Sequence, residues 1–565
     1  MNIVVIGGVA GGMSAAARAR RLDEHANIIV LEKGPYVSFA NCGLPYYVAG
    51  EITDRDQLLL HTPASLKKIL NLDVRVNAEV IAIDRQQKRV RVAGPDGEYH
   101  LDYDSLIYSP GASAATPPIT GLDHPAAHWL RTIDEMDGIL ARMRAVGDKL
   151  RATVVGAGFI GLEAVEALVH RGAEVTLVEF APHVLPPLEA EQAELVQREL
   201  RARGVQVKVG TAVKAITDVD GTAQLALSDG SHLMADLVVL STGVTPNTEL
   251  GADAGLQIGE RGALVVDGYL RTNDPAIYAM GDAAQMRQQV GDHALLGPVP
   301  LAASANRHGR RAADVIVRGV EGSADQVANA DAPPRVLGTA IVRVFGLTAA
   351  MTGANRRMLD ALEVDYITAI LHPADHAGYY PGAEQMHIVA HFAKADGALL
   401  GAQIVGGNGV ANRINVFATA LKGGLGANDL ADLDLAYAPP FGSAKDPVNM
   451  TAFVAQNILD NTMPVWYAND VEQVLDQALI LDVRSARECE DGMLPGALNI
   501  AHTQVRDHLD EIREAAAGRW IAVVCASGVR SYLATRILRG NDLDARNLAG
   551  GTLTLDATRP DWREL

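Results

Sequence analysis

Two stretches of the chain repeat the same order of hydrophobic and small residues. Residues 2–7 form a short apolar run that ends in glycines and leads into an alanine-rich stretch from Met13 to Leu22. A second apolar run follows at Asn27 to Leu31, and the same order returns at 152–179. Short apolar runs bounded by glycines are typical of buried parallel strands. The pattern therefore predicts two nucleotide-binding βαβ units, each with a helix between its two strands.

The hydrophobic pattern changes in the second half of the chain. Segments 238–246 and 277–282 predict later strands of an open α/β sheet, and the proline-containing, weakly apolar stretch 320–335 predicts a domain boundary. From about residue 336 alternating strands and then helices predict an α+β domain. After about residue 465, two apolar runs and a helical segment predict one more small α/β domain.

Composition narrows the possible function classes. With 565 residues, 48% hydrophobic and 21% charged, the chain is not disordered, and its net charge of −19 argues against nucleic acid as a partner. The N-terminus lacks the pattern of a signal peptide and no apolar run reaches about 18 residues, so we expect a cytoplasmic protein without a membrane partner. Cys42, Cys489 and Cys525 are too few and too dispersed for a disulfide framework. No metal site is expected.

The unit at 152–179 contains a complete G-x-G-x-x-G between a strand and a helix. Glycines allow a tight turn and close approach to a pyrophosphate, which the helix N-terminus attracts. Glu179 ends the next strand, where a carboxylate can bind a ribose diol and repel a 2′-phosphate. This favours NADH over NADPH. The candidate cofactor residues here are Gly156, Gly158, Phe159, Ile160, Gly161 and Glu179.

The N-terminal unit departs from this pattern, because Val9 stands where the middle glycine is usual. Glu32 restores the ribose contact at the end of the second strand. Taken alone, this unit could be an ordinary βα turn, but two such units followed by Met280-Gly281-Asp282 favour nucleotide binding. The candidate cofactor residues are Gly7, Gly8, Ala10, Gly11, Gly12 and Glu32.

With these motifs, residues 1 to about 450 resemble the FAD/NAD(P)-dependent pyridine nucleotide-disulfide oxidoreductases. The resemblance implies that Asp282 holds the ribityl chain of FAD, and that Ser109, Gly111 and Gly243 lie in the family's two crossover turns. It implies an α/β protein with two Rossmann-like domains, an α+β dimerisation domain and therefore a homodimer. The expected ranges are 1–150 and 271–325 for the FAD domain, 151–270 for the NAD domain and 326–455 for the dimerisation domain.

Cys42 has no second cysteine within ten residues, so an internal dithiol cycle is not available to it. Its chemistry must use a disulfide, persulfide or sulfenate formed with another molecule, the alternative being an inert buried thiol. Single-cysteine members of the resembling family include NADH oxidases, NADH peroxidases and coenzyme A disulfide reductases. The peroxidases have a histidine where this chain has Ala10, which weakens the peroxide hypothesis.

Two tyrosine segments favour the coenzyme A branch. Residues 376–383 and 436–441 resemble segments in which coenzyme A disulfide reductases place two tyrosines near the cysteine of the opposite subunit. The resemblance implies Tyr379 and Tyr437, which can donate a proton to a leaving thiolate; core or interface aromatics remain the alternative. Arg18 and Arg21 share a helix face that suits phosphates or is simply solvated. The implied coenzyme A contacts are Arg18, Arg21, Ser38, Asn41, Asn306 and Arg307.

The last domain contains a strand, a Cys-x-x-Gly-x-Arg loop from Cys525 to Arg530, and a helix. This order points backbone N–H groups at the sulfur, which favours a thiolate and stabilises a persulfide anion. Residues 465–565 thereby resemble a rhodanese domain, and a six-residue loop is the length that this family associates with sulfur transfer. Met493 stands where the family has a histidine. We expect no catalytic role for Cys489.

The fusion of a flavin-dependent reductase and a rhodanese-like domain in one chain favours sulfane sulfur as the substrate. We expect an FAD-dependent, NADH-using reductase of coenzyme A persulfide, polysulfide or coenzyme A disulfide, with Cys42 as the redox thiol. Cys525, with Arg530 in its loop, would carry or deliver sulfur. Two alternatives stay open: a coenzyme A disulfide reductase or NADH oxidase with a regulatory rhodanese domain, and a sulfur carrier or redox sensor without turnover.

Overall fold

The computed structural model describes residues 1–147, 149–319 and 332–563. The chain divides into two compact units, Met1–Phe180 with Gly204–Gly338, and Ala181–Arg203 with Thr339–Leu565. Most of the boundary predicted at 320–335 lies outside the described residues. No helix in the described ranges is long and apolar enough to cross a bilayer.

The first unit begins with a parallel sheet in which β1 lies between β2 and β7, while β4, β5 and β6 form an antiparallel sheet. The first helix begins at Ala10 rather than Met13, because Gly11 and Gly12 are part of its first turn. The elements are β1 (Asn2–Ile6), α1 (Ala10–Leu22), β2 (Asn27–Leu31), α2 (Leu44–Ala49), α3 (Pro63–Leu70), β3 (Asp73–Arg75), β4 (Glu79–Asp84), β5 (Arg89–Gly94), β6 (Gly97–Asp102), β7 (Ser105–Tyr108) and β8 (Ala112–Ala114).

The second βαβ unit repeats this arrangement. Its elements are β9 (Ala127–Trp129), α4 (Ile133–Val146), β10 (Arg151–Val155), α5 (Phe159–His170), β11 (Glu174–Val178), β12 (Gln206–Lys208), β13 (Val213–Val219), β14 (Thr222–Leu227), β15 (His232–Ala235), β16 (Leu237–Leu240), β17 (Val244–Pro246) and α7 (Glu249–Asp253). Helix α6 (Ala190–Ala202), between β11 and β12 in the chain, belongs to the second compact unit. The parallel sheet has the order β12-β11-β10-β16-β9. The strand predicted at 238–246 is two strands, because Gly243 takes a left-handed φ of 100° and turns the chain between β16 and β17.

The chain then returns to the first sheet, where β18 pairs with β7. The remaining elements of this unit are β18 (Ile277–Ala279), β19 (Met286–Val290), β20 (His293–Gly297), α8 (Ala302–Arg318) and β21 (Arg335–Val336). Helix α8 packs directly on α1: a Cβ at Gly309 would lie 2.2 Å from the carbonyl oxygen of Gly11. Small residues at this crossing therefore bring α8 beside the first glycine turn.

The α+β domain of the second unit is an antiparallel sheet with the order β22-β23-β26-β25-β24 and helices beside it. Its elements are β22 (Ala340–Val344), β23 (Leu347–Gly353), α9 (Arg356–Ala361), β24 (Tyr366–Leu371), β25 (Met386–Ala393), β26 (Leu399–Gly406), α10 (Val410–Gly423), α11 (Ala427–Ala431) and α12 (Pro447–Leu459). β24 is an edge strand of this sheet.

The C-terminal domain is a five-stranded parallel sheet with the order β27-β31-β30-β28-β29. Its elements are β27 (Val465–Trp466), α13 (Val471–Gln477), β28 (Ala478–Asp482), α14 (Ala486–Cys489), β29 (Leu498–Asn499), α15 (Leu509–Ala516), β30 (Trp520–Val524), α16 (Val529–Arg539), β31 (Ala545–Leu548) and α17 (Gly551–Thr558). The loop of Cys525 follows the central strand β30 and leads into α16, so it lies where open α/β sheets bind ligands.

Candidate active sites

The turn between β1 and α1 brings backbone against backbone. Gly7 has a φ of 96°, and a Cβ there would lie 2.1 Å from the carbonyl oxygen of Ser109. A Cβ at Gly12 would lie 2.0 Å from the carbonyl oxygen of Gly7. No larger residue fits at either position. Gly12 therefore serves the packing of the turn, and it is not among the residues that line the adjoining cleft.

That first cleft has a volume of about 460 Å³. Glu32 lies at its edge, where its two carboxylate oxygens accept hydrogen bonds from the backbone N–H of Gly8 at 2.8 Å and of Gly34 at 2.9 Å. The cleft brings together most of the predicted cofactor residues of the first unit. Its lining includes Gly7, Gly8, Ala10, Gly11, Glu32, Ser109, Gly111 and Asp282, together with Asn41 and Cys42.

Asp282 lies in the wall of the first cleft. Burial raises the pKa of its carboxyl group, and Arg131 counteracts this, with Nη2 3.3 Å from the carboxylate. Arg131 was not predicted from the sequence. The one feature that could have identified it is its position just after β9. A partly buried carboxylate with one weak partner keeps acceptor capacity for hydroxyl groups of a ligand.

The second glycine turn has the same construction. Gly156 has a φ of 99°, and a Cβ at Gly161 would lie 2.0 Å from the carbonyl oxygen of Gly156. Glu179 accepts a hydrogen bond from the backbone N–H of Ala157 at 2.6 Å. A Cβ at Gly158 would meet nothing within 4 Å, so the chain leaves open space there. Phe159 and Ile160 begin α5.

Cys42 is exposed in the short turn Asn41–Gly43 before α2. The side-chain oxygen of Asn41 accepts a hydrogen bond from the backbone N–H of Cys42 at 3.0 Å. Partial burial raises the pKa of the Cys42 thiol, and the negative charges of Glu163 and Asp282 raise it further. An accessible thiol in this position can react with a ligand that enters the cleft.

Cys42 also lines a second cleft, with a volume of about 540 Å³. Of the predicted coenzyme A contacts, it contains Arg18, Arg21, Ser38, Asn41 and Asn306. Arg307 does not line it. Arg310 does, because it lies four residues after Asn306 and therefore on the same face of α8. Arg18 is paired with Asp314 at 2.6 Å. His61 and Ser14 were missed, since their sequence surroundings carry no motif.

Tyr379 and Tyr437 come together in the second unit, with 2.9 Å between their hydroxyl oxygens. Their side chains are 77% and 46% exposed. The hydrogen bond with Tyr437 raises the pKa of Tyr379. The buried guanidinium of Arg413 donates from Nη2 to the backbone oxygens of Asp375 and Phe441, at 2.9 and 3.4 Å. One arginine therefore holds both tyrosine loops.

The loop of Cys525 directs donors at its sulfur. The Sγ atom accepts hydrogen bonds from the backbone N–H of Gly528 at 3.2 Å and from Ser531 Oγ at 3.1 Å. The thiol is fully buried. Arg530 is held by Glu488 through two hydrogen bonds of 2.8 and 2.6 Å, which hold the pKa of that carboxyl group far below its usual range.

Three known families match consecutive parts of the chain. Residues 1–307 match the family described as pyridine nucleotide-disulphide oxidoreductase, residues 339–447 match its dimerisation domain, and residues 464–554 match the rhodanese-like domain. The chain belongs to the pyridine nucleotide-disulphide oxidoreductase family. It is thus an FAD- and NAD(H)-dependent oxidoreductase, and the α/β fold with Rossmann-like, dimerisation and rhodanese-like domains is confirmed.

Two solved structures are similar to this flavoprotein over nearly its whole length. The reduced CoADR-RHD of Bacillus anthracis is 39% identical with a TM-score of 0.94, and covers 99% of this chain and 98% of its own. A NAD-dependent persulfide reductase from A. fulgidus is 39% identical with a TM-score of 0.89, at 98% and 100% coverage.

Two curated relatives match about four fifths of the flavoprotein. The NADH oxidase of Methanocaldococcus jannaschii is 32% identical over 463 residues, which are 82% of this chain and 100% of the relative. The coenzyme A disulfide reductase of Staphylococcus haemolyticus is 32% identical over 459 residues, which are 81% of this chain and 100% of the relative.

Cys489, the third thiol of this flavoprotein, ends α14 and is partly exposed. Its sulfur accepts a hydrogen bond from Asn499 Nδ2 at 3.3 Å, and burial raises the pKa of the thiol. The absence of a catalytic role stays a prediction.

The flavoprotein has three His-x-x-x-His spacings, at residues 124/128, 372/376 and 387/391, which were not noted from the sequence. The rings of these pairs meet different partners: His124 binds Asp218, His376 binds Asp375, His391 binds Glu189, and His372 contacts His387. Among the described residues, one group brings three potential ligand atoms within 4.8 Å of one another, namely Glu51, Glu166 and His170.

Proposed function

We propose that this flavoprotein uses NADH to reduce sulfane sulfur bound to coenzyme A, and coenzyme A disulfide or polysulfide, through Cys42. One observation carries the proposal: Cys42, an exposed single thiol, lines both the first cleft and the second cleft. Electrons that arrive from the first cleft and a sulfur substrate held in the second can therefore meet at one atom. The persulfide and disulfide substrates in the names of similar proteins support the same assignment.

The residues of the first cleft fit FAD. The glycines of the turn let the backbone come close to a bound pyrophosphate. Glu32, at the edge of the cleft, could bind a ribose diol, and the partly buried Asp282 could accept hydrogen bonds from the ribityl hydroxyls. FAD, when bound, would pass the two electrons of NADH to a disulfide at Cys42. For the nicotinamide cofactor, we assign NADH, because Glu179 repels a 2′-phosphate.

The second cleft suits a ligand with phosphates and a thiol. Arg21, Arg310 and His61 supply cationic or donor groups, and Ser38 and Asn41 lie beside the thiol. Arginine binds phosphates through paired, charge-assisted hydrogen bonds. Coenzyme A has phosphates at one end and sulfur at the other, so the class of ligand matches the distribution of groups in the cleft.

The chemical step begins with the Cys42 thiolate. It attacks the coenzyme A sulfur of CoA-S-SH, forms a mixed disulfide with coenzyme A, and releases hydrosulfide. With coenzyme A disulfide, a coenzyme A thiolate leaves instead. Two electrons then break the mixed disulfide and regenerate the Cys42 thiolate. The sum is CoA-S-SH + NADH + H⁺ → CoA-SH + H₂S + NAD⁺.

Leaving thiolates need protons, and the tyrosine pair can supply them. Tyr379 and Tyr437 donate to each other or to a ligand, because each hydroxyl is both donor and acceptor. We propose a homodimer in which the pair of one subunit faces Cys42 of the other. A reducing cytoplasm would keep such single thiols active.

Cys525 carries sulfur in this proposal. Its thiolate attacks the terminal sulfur of a persulfide R-S-SH, gives Cys525-S-SH and releases the thiol R-SH. Coenzyme A thiolate can then take the sulfur and become the substrate of Cys42. The N–H of Gly528 and the hydroxyl of Ser531 stabilise negative charge on the sulfur.

The test is anaerobic stopped-flow turnover with NADH and either coenzyme A persulfide or coenzyme A disulfide. Cys42→Ser should lower turnover with both by more than about a thousandfold, as expected for loss of a nucleophile. Cys489→Ser is the matched control and should stay within about twofold. A Cys42→Ser enzyme that still turns over would exclude the proposal.

A second set of measurements separates the alternatives. The name of the Methanocaldococcus relative makes NADH oxidase the second candidate function, and it predicts NADH consumption with oxygen alone. If the rhodanese domain is only regulatory, Cys525→Ala leaves the release of sulfide from polysulfide unchanged. A carrier or sensor would consume no NADH with any sulfur acceptor.

A further inference from the structure

His372, which follows the edge strand β24 of the dimerisation domain, contacts the rhodanese-like domain. Its Nε2 atom lies 2.9 Å from the carbonyl oxygen of Gly550 and 3.1 Å from Thr554 Oγ1. Its Nδ1 atom lies 2.8 Å from Nδ1 of His387 on β25. Two imidazole rings in series therefore join the sheet of one domain to the start of α17 in the other.

The partners fix where the protons lie. The carbonyl oxygen of Gly550 can only accept, so Nε2 of His372 carries a proton. Burial lowers the pKa of His372 to about 3 and that of His387 to about 4, so both rings are neutral at pH 7. In a neutral His372 the Nδ1 atom is an acceptor, and His387 must donate to it. The series runs from His387 through His372 to Gly550.

The contact at Gly550 leaves no free space. A Cβ added there would lie 2.6 Å from Ile370 Cγ2, on β24. The neighbouring Ala549 shares a hydrophobic cluster with Ile370 and Val389 of the dimerisation sheet. The start of α17 is therefore packed and hydrogen-bonded against the strand edge.

On its other side, α17 holds the backbone of the Cys525 loop. The N–H groups of Thr552 and Leu553 donate to the carbonyl oxygens of Cys525 and Ala526, at 2.9 and 3.0 Å. A Cβ at Gly551 would lie 2.4 Å from the Cys525 oxygen, so the two segments touch through backbone alone. In a planar trans peptide, the carbonyl and the following N–H point in opposite directions. Holding these two carbonyls thus turns the next N–H groups away from α17.

We propose that His372, oriented by His387, is a positioning residue for the Cys525 loop, acting through Gly550 and the start of α17. By this route the dimerisation domain keeps the sulfur-carrying loop in the conformation that receives a persulfide. The proposal rests on the proposed role of Cys525 as a sulfur carrier. The His372 ring itself does not touch the reacting sulfur.

The experiment uses the full flavoprotein with Cys42→Ser, so that sulfur taken from coenzyme A persulfide is followed on Cys525 by peptide mass. His372→Leu removes the donor, and His372→Gln keeps an N–H close to the position of Nε2. The rate of amide hydrogen exchange in the peptide that contains Thr552 and Leu553 reports how stable their hydrogen bonds to the Cys525 loop are. Circular dichroism and the thermal unfolding midpoint of the whole chain are the folding control, and bound FAD with its reduction by NADH checks the other unit separately.

In His372→Leu we expect the amide exchange rate of this peptide to rise about tenfold and the rate of sulfur transfer to Cys525 to fall about tenfold. Changes of this size are expected when one hydrogen bond is lost. His372→Gln should recover both to within about threefold of the parent. A His372→Leu chain that matches the parent in both measurements overturns the proposal, as does a His372→Gln chain as impaired as His372→Leu.

Two outcomes need a second measurement. If His372→Leu fails the folding control, His387→Leu removes the ring that orients His372, and unchanged exchange in that variant overturns the proposal. If the parent loads no sulfur on Cys525, the proposed carrier function fails. The exchange comparison then still decides whether His372 positions the loop.

Discussion

The hydroxyl oxygens of Tyr379 and Tyr437 lie 2.9 Å apart, although 58 positions separate the two residues in the chain. Their loops are joined by a hydrogen bond from the backbone N–H of Ala377 to the carbonyl oxygen of Gly442, at 2.9 Å. Two solvent-exposed phenols that share a hydrogen bond have one proton available for transfer beyond the pair. This relationship makes the pair the best candidate for the acid of the proposed reaction.

Removing either hydroxyl should slow the release of the leaving thiolate. We expect Tyr379→Phe and Tyr437→Phe each to lower turnover with coenzyme A disulfide by about a hundredfold, the lower range for loss of a general acid. Tyr437→Phe should also move the alkaline limb of the pH profile to lower pH, because Tyr437 raises the pKa of Tyr379.

Tyr380→Phe is the matched control for the tyrosine variants, since Tyr380 is adjacent and exposed. Steady-state rates between pH 6 and about 11 check the prediction, because the range must extend above the usual phenol pKa of about 10. Equal rates in the Tyr379→Phe, Tyr437→Phe and Tyr380→Phe enzymes would exclude a proton-donating pair.

Arg413 should support both tyrosine loops. It is buried, pairs with Asp446 at 2.9 Å and donates to the carbonyl oxygen of Asp375. Arg413→Gln leaves Asp446 without its charged partner, which should lower the free energy of unfolding by about 3–5 kcal/mol. Turnover with coenzyme A disulfide should fall, while NADH reduction of bound FAD keeps its rate.

Urea unfolding followed by circular dichroism, together with stopped-flow flavin reduction, checks the Arg413 variant. Arg357→Gln, on the exposed face of α9, is the control and should change the free energy of unfolding by less than about 0.5 kcal/mol. Equal losses of the free energy of unfolding in the two variants would show that the buried Arg413–Asp446 pair does not stabilise the fold.

Glu179 should determine the choice between the two nicotinamide cofactors. Glu179→Gln removes the negative charge at the end of β11 and keeps the size of the side chain. We expect kcat/KM for NADPH relative to that for NADH to rise by about tenfold, because a 2′-phosphate is no longer repelled. Glu174→Gln, at the exposed start of the same strand, is the control. A ratio that does not change would assign the selectivity to other residues.

The second unit should lose stability in weak acid. His372 and His387 have pKa values of about 3 and about 4 in the folded chain, against 6.5 for an ordinary histidine. The unfolded chain therefore binds more protons, and the stability present above pH 6.5 falls as the pH drops toward these values. Each ring contributes a slope of up to about 1.4 kcal/mol per pH unit.

Thermal unfolding between pH 7 and pH 4 checks this slope. His372→Gln removes one titrating ring and should flatten the dependence, whereas His25→Gln, an exposed histidine of the first unit, should leave it as it is. A midpoint in His372→Gln that falls with pH as steeply as in the parent would contradict the assignment.

The sequence predicted the local parts of the candidate sites well. Close backbone contacts, either within the turn or with the end of the adjacent strand, require glycine at Gly7, Gly156 and Gly161. The sequence motif therefore predicts the geometry of the turn. The loop of Cys525 is similar, since its donors come from the next six residues. By contrast, the choice between Arg307 and Arg310 depends on which face α8 turns to the second cleft.

By itself, the sequence determined the two glycine turns, the single thiols and the order of the domains, because steric limits and short spacings are set along the chain. Only the tertiary structure decided that Arg131 contacts Asp282, that Arg413 holds both tyrosine loops, and that His372 reaches Gly550. These residues are separated by tens to hundreds of positions. Their contacts depend on strand register and helix packing, which distant parts of the chain fix together.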